Sequence, residues 1–141
     1  MSSFLASELS ADETSDAARF RVIPMPLERT VSYGAGTARG PAAIIAASNE
    51  LERLCVGQEP CRAGILTETP VDCDGPLPEV MERLATRTEA AARAGRIPVT
   101  LGGEHSLSYG AVMGVARALG QPVGILQIDA PRRFLAQVEA V

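Results

Sequence analysis

Residues 97–120 read IPVTLGGEHSLSYGAVMGVARALG, and the spacing of apolar residues changes midway through the stretch. Residues 97–101 are a short, predominantly apolar run, the pattern of a strand buried on both faces. Gly102 and Gly103 follow, a pair that permits a tight turn and a close approach of two backbones. From about Ser106 the apolar positions recur at helical intervals, with Leu107, Ala111, Val115 and Ala118 along one side. Gly120, Gln121 and Pro122 end that helix. The stretch is therefore one strand–turn–helix unit.

The same alternation extends through the chain. Runs at 20–23, 63–66 and 123–128 read as further strands, the first stopped by Pro24 and Pro26. A helix is expected from Gly40-Pro41, where proline suits the first turn. Ile44, Ala47, Leu51 and Leu54 share one of its faces. A longer helix is expected over 77–94, with Leu77, Val80, Met81, Leu84 and Ala91 as its apolar side and Gly95 as its cap. Strand–helix alternation predicts an α/β fold with a mostly parallel sheet, helices on both faces and right-handed crossovers. Residues 1–19, rich in Ser, Ala, Asp and Glu, read as a mobile arm or a short extra helix. Residues 20–130 are the α/β unit, and 131–141 are a tail of different character.

Composition narrows the function classes. The 141 residues match one ordinary domain in length, and 46% of them are hydrophobic, enough for a packed core. Trp is absent and aromatics are 4%, so that core rests on Ala, Val, Ile and Leu. A net charge of −4 argues against a nucleic-acid partner, which calls for a basic face. No apolar run approaches the roughly 18 residues of a membrane span, and the first residues lack the pattern of a secretory signal. Cys55, Cys61 and Cys73 have no zinc-type spacing and are read as free thiols in a reducing cytoplasm.

In open parallel sheets, ligands gather beyond the carboxyl ends of the strands. That rule selects Gly102-Gly103-Glu104-His105-Ser106 and Asp129. His105 is the only histidine. With Asp129 at the same sheet end, imidazole and carboxylate can converge on a shared metal or acid–base site, although a lone His is more often structural. Two ligands are too few for a hard divalent ion such as Mn²⁺, which takes five or six donors. Glu104 points to another side of the turn and reads as an acceptor that fixes a ring N–H or a loop amide. The plainer reading is an acidic residue favoured at a helix N-terminus.

Other features are weaker. GAGTARG, residues 34–40, has the spacing G-x-G-x-x-x-G rather than the G-x-G-x-x-G of a dinucleotide loop, and polar residues precede it. It reads as a glycine-rich surface loop entering a helix. Arg132 and Arg133 read as a solvated tail rather than an anion clamp. Asp72 and Asp74 flank Cys73 and should raise its thiol pKa.

Three stretches together resemble the ureohydrolase family: arginases, agmatinases, guanidinobutyrases and formiminoglutamases. SYGAGTARGPAAIIAAS resembles the family's Gly-Thr…Gly-Pro segment and the helix behind it. PVTLGGEHSLSYG resembles the Gly-Gly-(Asp/Glu)-His-Ser metal motif, with Glu leaning toward the agmatinase branch. VGILQIDA resembles the strand before Asp-Ala-His-x-Asp. The resemblance covers about residues 22–130 and the N-terminal half of a family member only. It implies the arginase-like three-layer αβα fold and hydrolysis of a guanidino group, most like agmatine to putrescine and urea, by a hydroxide held between two Mn²⁺ ions. It further implies His105 and Asp129 as metal ligands, a small guanidino substrate such as agmatine, no nucleic acid or membrane partner, a cytoplasmic location, and trimers or hexamers in full-length relatives. It assigns no substrate-binding residue.

The departures from the pattern are equally specific. Where the family carries the His and second Asp of Asp-Ala-His-x-Asp, this chain has Pro131 and Arg133. Proline offers no side-chain ligand, and arginine brings a permanent positive charge to a dication site. The family's later Asp-x-Asp motif has no counterpart, and Ile45 stands where the family often has Arg. One inserted base accounts for the change. GAC GCC CAC GCC GAT TTC encodes Asp-Ala-His-Ala-Asp-Phe. With one C added after GCC it reads GAC GCC CCA CGC CGA TTT, or Asp-Ala-Pro-Arg-Arg-Phe, the sequence at 129–134. Residues 131–141 are thus expected to be out-of-frame text, and the chain as written to be inactive. The rival expectation is a non-catalytic α/β binding domain.

Overall fold

The computed structural model describes residues 2–128. Three parallel strands form the sheet: β1 (Phe20–Met25), β2 (Ile65–Thr67) and β3 (Ile97–Gly102), in the order β2-β1-β3. β1 is central. Phe20 pairs with Ile65 on one side and with Ile97 on the other, and the β1–β3 register runs on to Met25 opposite Gly102. The expected strand at 63–66 is displaced toward its carboxyl end, because Pro60–Ala63 form a 3₁₀ turn first. Three α-helices accompany the strands: α1 (Gly40–Ala47), α2 (Leu77–Arg93) and α3 (Ser108–Leu119).

Side chains alternate across a strand, so β1 sends Ile23 and Met25 to one face and Phe20 and Val22 to the other. Ile23 and Met25 are fully buried with Val80, Met81 and Leu84 of α2, the face expected for that helix. Burial of each such side chain contributes about 1.5–3 kcal/mol. α2 and α3 pack closely because α3 carries glycine at 110 and 114. A Cβ on Gly114 would lie 2.1 Å from the Ala85 carbonyl oxygen, and one on Gly110 would lie 2.7 Å from that of Met81. Helix periodicity had placed Leu107, Ala111, Val115 and Ala118 inward. The buried positions are instead Leu107, Gly110 and Gly114, with Ala111 half-buried against the core. Thr88 Oγ1 crosses this seam to the carbonyl of Ala111 at 3.2 Å.

α1 corrects its expected face. The helix stops at Ala47, Ile44, Leu51 and Leu54 are exposed, and Pro41, Ile45 and Ser48 point inward. Gly40–Ala47 contains no charged residue, so apolar spacing selects no side. Backbone contact selects it instead: a Cβ on Gly40 would sit 3.0 Å from the carbonyl oxygen of Gly102.

Residues 2–19 carry a 3₁₀ turn at Asp12–Thr14 and are fastened to the fold. Ser48 Oγ accepts the Leu5 N–H at 2.8 Å, Thr67 Oγ1 accepts the Phe4 N–H at 2.9 Å, and Arg53 forms an ion pair with Glu13 at 2.7 Å. Leu5 is buried, at the edge of an apolar cavity of about 300 Å³ shared with Val22, Cys61, Val99 and Leu101. Ser48→Ala is expected to cost about 1 kcal/mol and to speed amide exchange at Leu5 about tenfold while leaving Ile23 protected. Hydrogen-exchange NMR reads both sites.

The fourth expected strand does not form within the described residues. Residues 122–128 are irregular and run beside Pro98, Thr100 and Val112, lining a cavity of about 310 Å³. The Ile97 N–H points to β1, bonding to the Arg19 carbonyl, so Pro98 faces the other edge. Proline has no N–H to offer there. Leu126 and Ile128 are 82% and 91% exposed. An apolar strand of the parallel kind needs cover on both faces, which Leu126 and Ile128 do not have here.

Candidate functional site

β1 and β3 end side by side, and the polypeptide beyond them forms one rim. Gly103 makes this possible: a Cβ there would lie 2.3 Å from the Leu27 carbonyl oxygen and 2.9 Å from that of Met25. The Glu104 N–H then donates to the Leu27 carbonyl at 2.9 Å. A 3₁₀ turn, His105–Leu107, leads directly into α3. Leu107 is buried and anchors the turn, so His105 is carried on the exposed side.

Glu104 is only 6% exposed, and both of its oxygens are used. Oε2 accepts the backbone N–H groups of Arg29 and Thr30, the latter at 2.6 Å, and Oε1 accepts the hydroxyls of Thr30 and Ser106. Burial pushes this carboxyl up, but the hydrogen bonds from Ser106, Thr30 and Arg29 outweigh it and hold the pKa down at about 2, against an ordinary 4.5. A folded-state value below the unfolded one adds stability above about pH 4.5 that is lost as pH falls toward 2. Glu104→Gln turns an acceptor oxygen into a donor facing donors, at a cost of about 1–3 kcal/mol at pH 7. Urea unfolding should show that cost shrinking between pH 5 and pH 2.

Glu28 does similar work within the glycine-rich loop. Its carboxylate accepts the N–H groups of Gly36 and Ala38 at 2.8 Å and the Thr37 hydroxyl at 3.1 Å, and these bonds lower its pKa. The amides that a phosphate would take are thus filled from within the chain, against a nucleotide reading of residues 34–40. Arg29 donates to the carbonyls of Cys73 and Gly75 and ties in the loop beyond β2. The Cys73 thiol is pushed up, first by burial and then by Asp72 and Asp74.

His105 Nδ1 lies 3.1 Å from Ser108 Oγ, and Nε2 lies 3.0 Å from the side-chain nitrogen of Gln127. Asp129, the other expected ligand, falls outside the described residues, as do Pro131, Arg132 and Arg133. Among the described residues no group of three or more His, Cys, Asp or Glu side chains is placed to hold a metal ion. Glu104 faces the loop amides, which leaves His105 as the one described side chain at this rim suited to a metal. A dimanganese centre takes five or six donors per ion, so the described residues supply one of the set that it would need.

A parallel α/β sheet with its glycine-turn His at the strand ends defines the class of protein. The family profile described as the arginase family matches residues 18–130. N(1)-aminopropylagmatine ureohydrolase of Thermus thermophilus is 38% identical over 123 residues, covering 84% of this chain and 41% of its own length. The Synechocystis enzyme of the same name is 34% identical over 121 residues, 77% of this chain and 38% of its own. The crystal structure of agmatine ureohydrolase from Thermoplasma volcanium superposes with a TM-score of 0.72 at 27% identity, covering 88% of this chain and 40% of that one. The chain belongs to the arginase family, and it spans about 40% of the length of these relatives.

Glu28, Arg29 and the glycine pair at 110 and 114 were not anticipated as structural determinants. Glu28 and Arg29 act on partners that no periodicity links to them. Gly110 and Gly114 did carry a signal, since small residues four apart permit close helix contact.

Proposed function

We propose that this chain derives from an agmatinase-type ureohydrolase that cleaves a small guanidino compound to urea and an amine, and that as written it does not carry out the reaction. The family membership and the ureohydrolase names of its relatives support the parent activity. The second half is supported by the donor set: His105 is the one described side chain at the rim suited to a metal, Asp129 is the other expected ligand, and Pro131 and Arg133 stand where the resemblance calls for more. In the parent enzyme two Mn²⁺ ions would supply an activated water, with His105 and Asp129 among their ligands, Glu104 bracing the turn, and a soluble trimer or hexamer as the assembly.

Agmatine is the substrate we assign to the parent. Incubating the purified chain with Mn²⁺ and agmatine, and in parallel with arginine and 4-guanidinobutyrate, tests the proposal through urea release. No urea is expected from any of the three. Urea from agmatine would establish activity in the chain itself, and urea from another compound would move the substrate assignment.

A further inference from the structure

We infer that Tyr33 and Tyr109 form the outer part of a substrate site, where two aromatic faces receive the cationic end of an alkyl amine or guanidine. They are the only tyrosines of the chain, and no tryptophan accompanies them. Both stand on the strand-end rim and both are turned to water, Tyr33 98% exposed and Tyr109 68%. Rings so exposed contribute little to packing, and the face of an aromatic ring attracts a cation. Tyr33 is carried by a loop pinned at both ends. Before it, the Thr30 N–H is held by Glu104 at 2.6 Å. After it, Glu28 holds the Gly36 and Ala38 N–H groups at 2.8 Å, and Gly40 packs against the Gly102 carbonyl. Residues 31–35 are the exposed span between these anchors, and Tyr33 is its midpoint. Tyr109 comes from the other loop. It follows His105 by four residues, about one helical turn, so the two lie on the outer side of one segment while Leu107 and Gly110 turn inward. Glu28 and Glu104 are the only acids of these two loops, and both are occupied by N–H and O–H groups of the chain itself. A cation arriving between the loops is therefore met by ring faces rather than by those carboxylates.

That the cation is the amine end of a guanidino substrate rests on the proposed function, whereas the cation site stands without it. With two tyrosines in the chain, ring-labelled tyrosine gives two sets of NMR signals, assigned by Tyr33→Phe and Tyr109→Phe. Agmatine, putrescine and tetramethylammonium, titrated into the full chain at constant ionic strength, are expected to shift both sets and to saturate in the millimolar range. The neutral 1,4-butanediol should shift neither. Tyr33→Leu or Tyr109→Leu should weaken agmatine binding about two- to five-fold, the fold-change of one exposed cation–π contact. The two Phe variants keep an aromatic face and should bind as the unaltered chain does, which separates the ring from its hydroxyl. Both residues are exposed, so the variants should keep the folded backbone spectrum. Agmatine shifts that Mg²⁺ reproduces at the same ionic strength, or agmatine affinity unchanged in the folded Leu variants, would overturn the inference. The two readings fail separately. Saturable tyrosine shifts beside urea release from 4-guanidinobutyrate alone would keep the cation site and remove agmatine as the substrate.

Discussion

On the proposed function, moving the reading frame by one base after the codon for Ala130 is expected to yield an enzyme that releases urea where the chain as written releases none. Deleting the proposed extra base restores His and Asp at the positions now held by Pro131 and Arg133, and opens the downstream frame in which the later Asp-x-Asp motif should lie. The effect should be of the largest kind. On the proposed function, His105 and Asp129 alone would not hold two metal ions, and without them no water would be activated. Urea release from agmatine should therefore go from undetectable to turnover in the ordinary enzymatic range, roughly 1–10³ per second. His105→Ala in the restored protein should abolish most of it again. A restored product that folds, binds Mn²⁺ and releases no urea would point to another substrate. A downstream frame without His-x-Asp would remove the frameshift account.

The second large effect concerns the fold. Gly103→Ala is expected to cost 3 kcal/mol or more, at or above the upper end of the roughly 1–3 kcal/mol usual for overpacking. The added methyl would meet backbone on two sides, the Leu27 carbonyl oxygen at 2.3 Å and the Leu27 nitrogen at 2.7 Å, and neither can rotate away. It would also break the bond from the Glu104 N–H to Leu27 that seats the rim. Since domains of this size hold only about 5–15 kcal/mol in total, the melting temperature should fall by about 10 °C or more. Gly124→Ala is the matched control, with nothing within 4 Å of its added Cβ, and should leave the melting temperature nearly unchanged. Differential scanning calorimetry on the three proteins decides the matter. Equal midpoints for Gly103→Ala and the unaltered chain would mean that the two strand ends are not as close as described.

What could be read from the sequence was what depends on neighbours along the chain. Residues 97–101 and 20–23 announced their strands as short, mostly apolar runs, although β3 is not buried on both faces, since Ile97 and Val99 are exposed, and α2 announced its inward face because charged residues occupy its outer one. The helix α1 gave no such contrast, so its rotation was fixed by Gly40 against Gly102, a contact between residues 62 positions apart in sequence. The same holds for the rim. The glycine pair and His105 stood out through position. The carboxylate bonds that join the turn to the β1 loop, from Glu104 to Arg29 and Thr30, span more than 70 residues and leave no pattern in either stretch. The run at 123–128 failed as a strand for the opposite reason. Its apolar character is local, but strand formation requires a partner edge and cover on both faces, and Pro98 and the exposure of Leu126 and Ile128 show what is lacking.

These observations describe an arginase-family fold whose strand-end rim is built and braced; that it lacks the donors of a hydrolytic centre is the proposal. Equilibrium Mn²⁺ binding to the purified chain, by calorimetry with metal analysis of the dialysed protein, tests this most directly. The account predicts less than one tightly held Mn²⁺ per chain and no urea from agmatine in the same sample. Two Mn²⁺ per chain accompanied by urea release would contradict it.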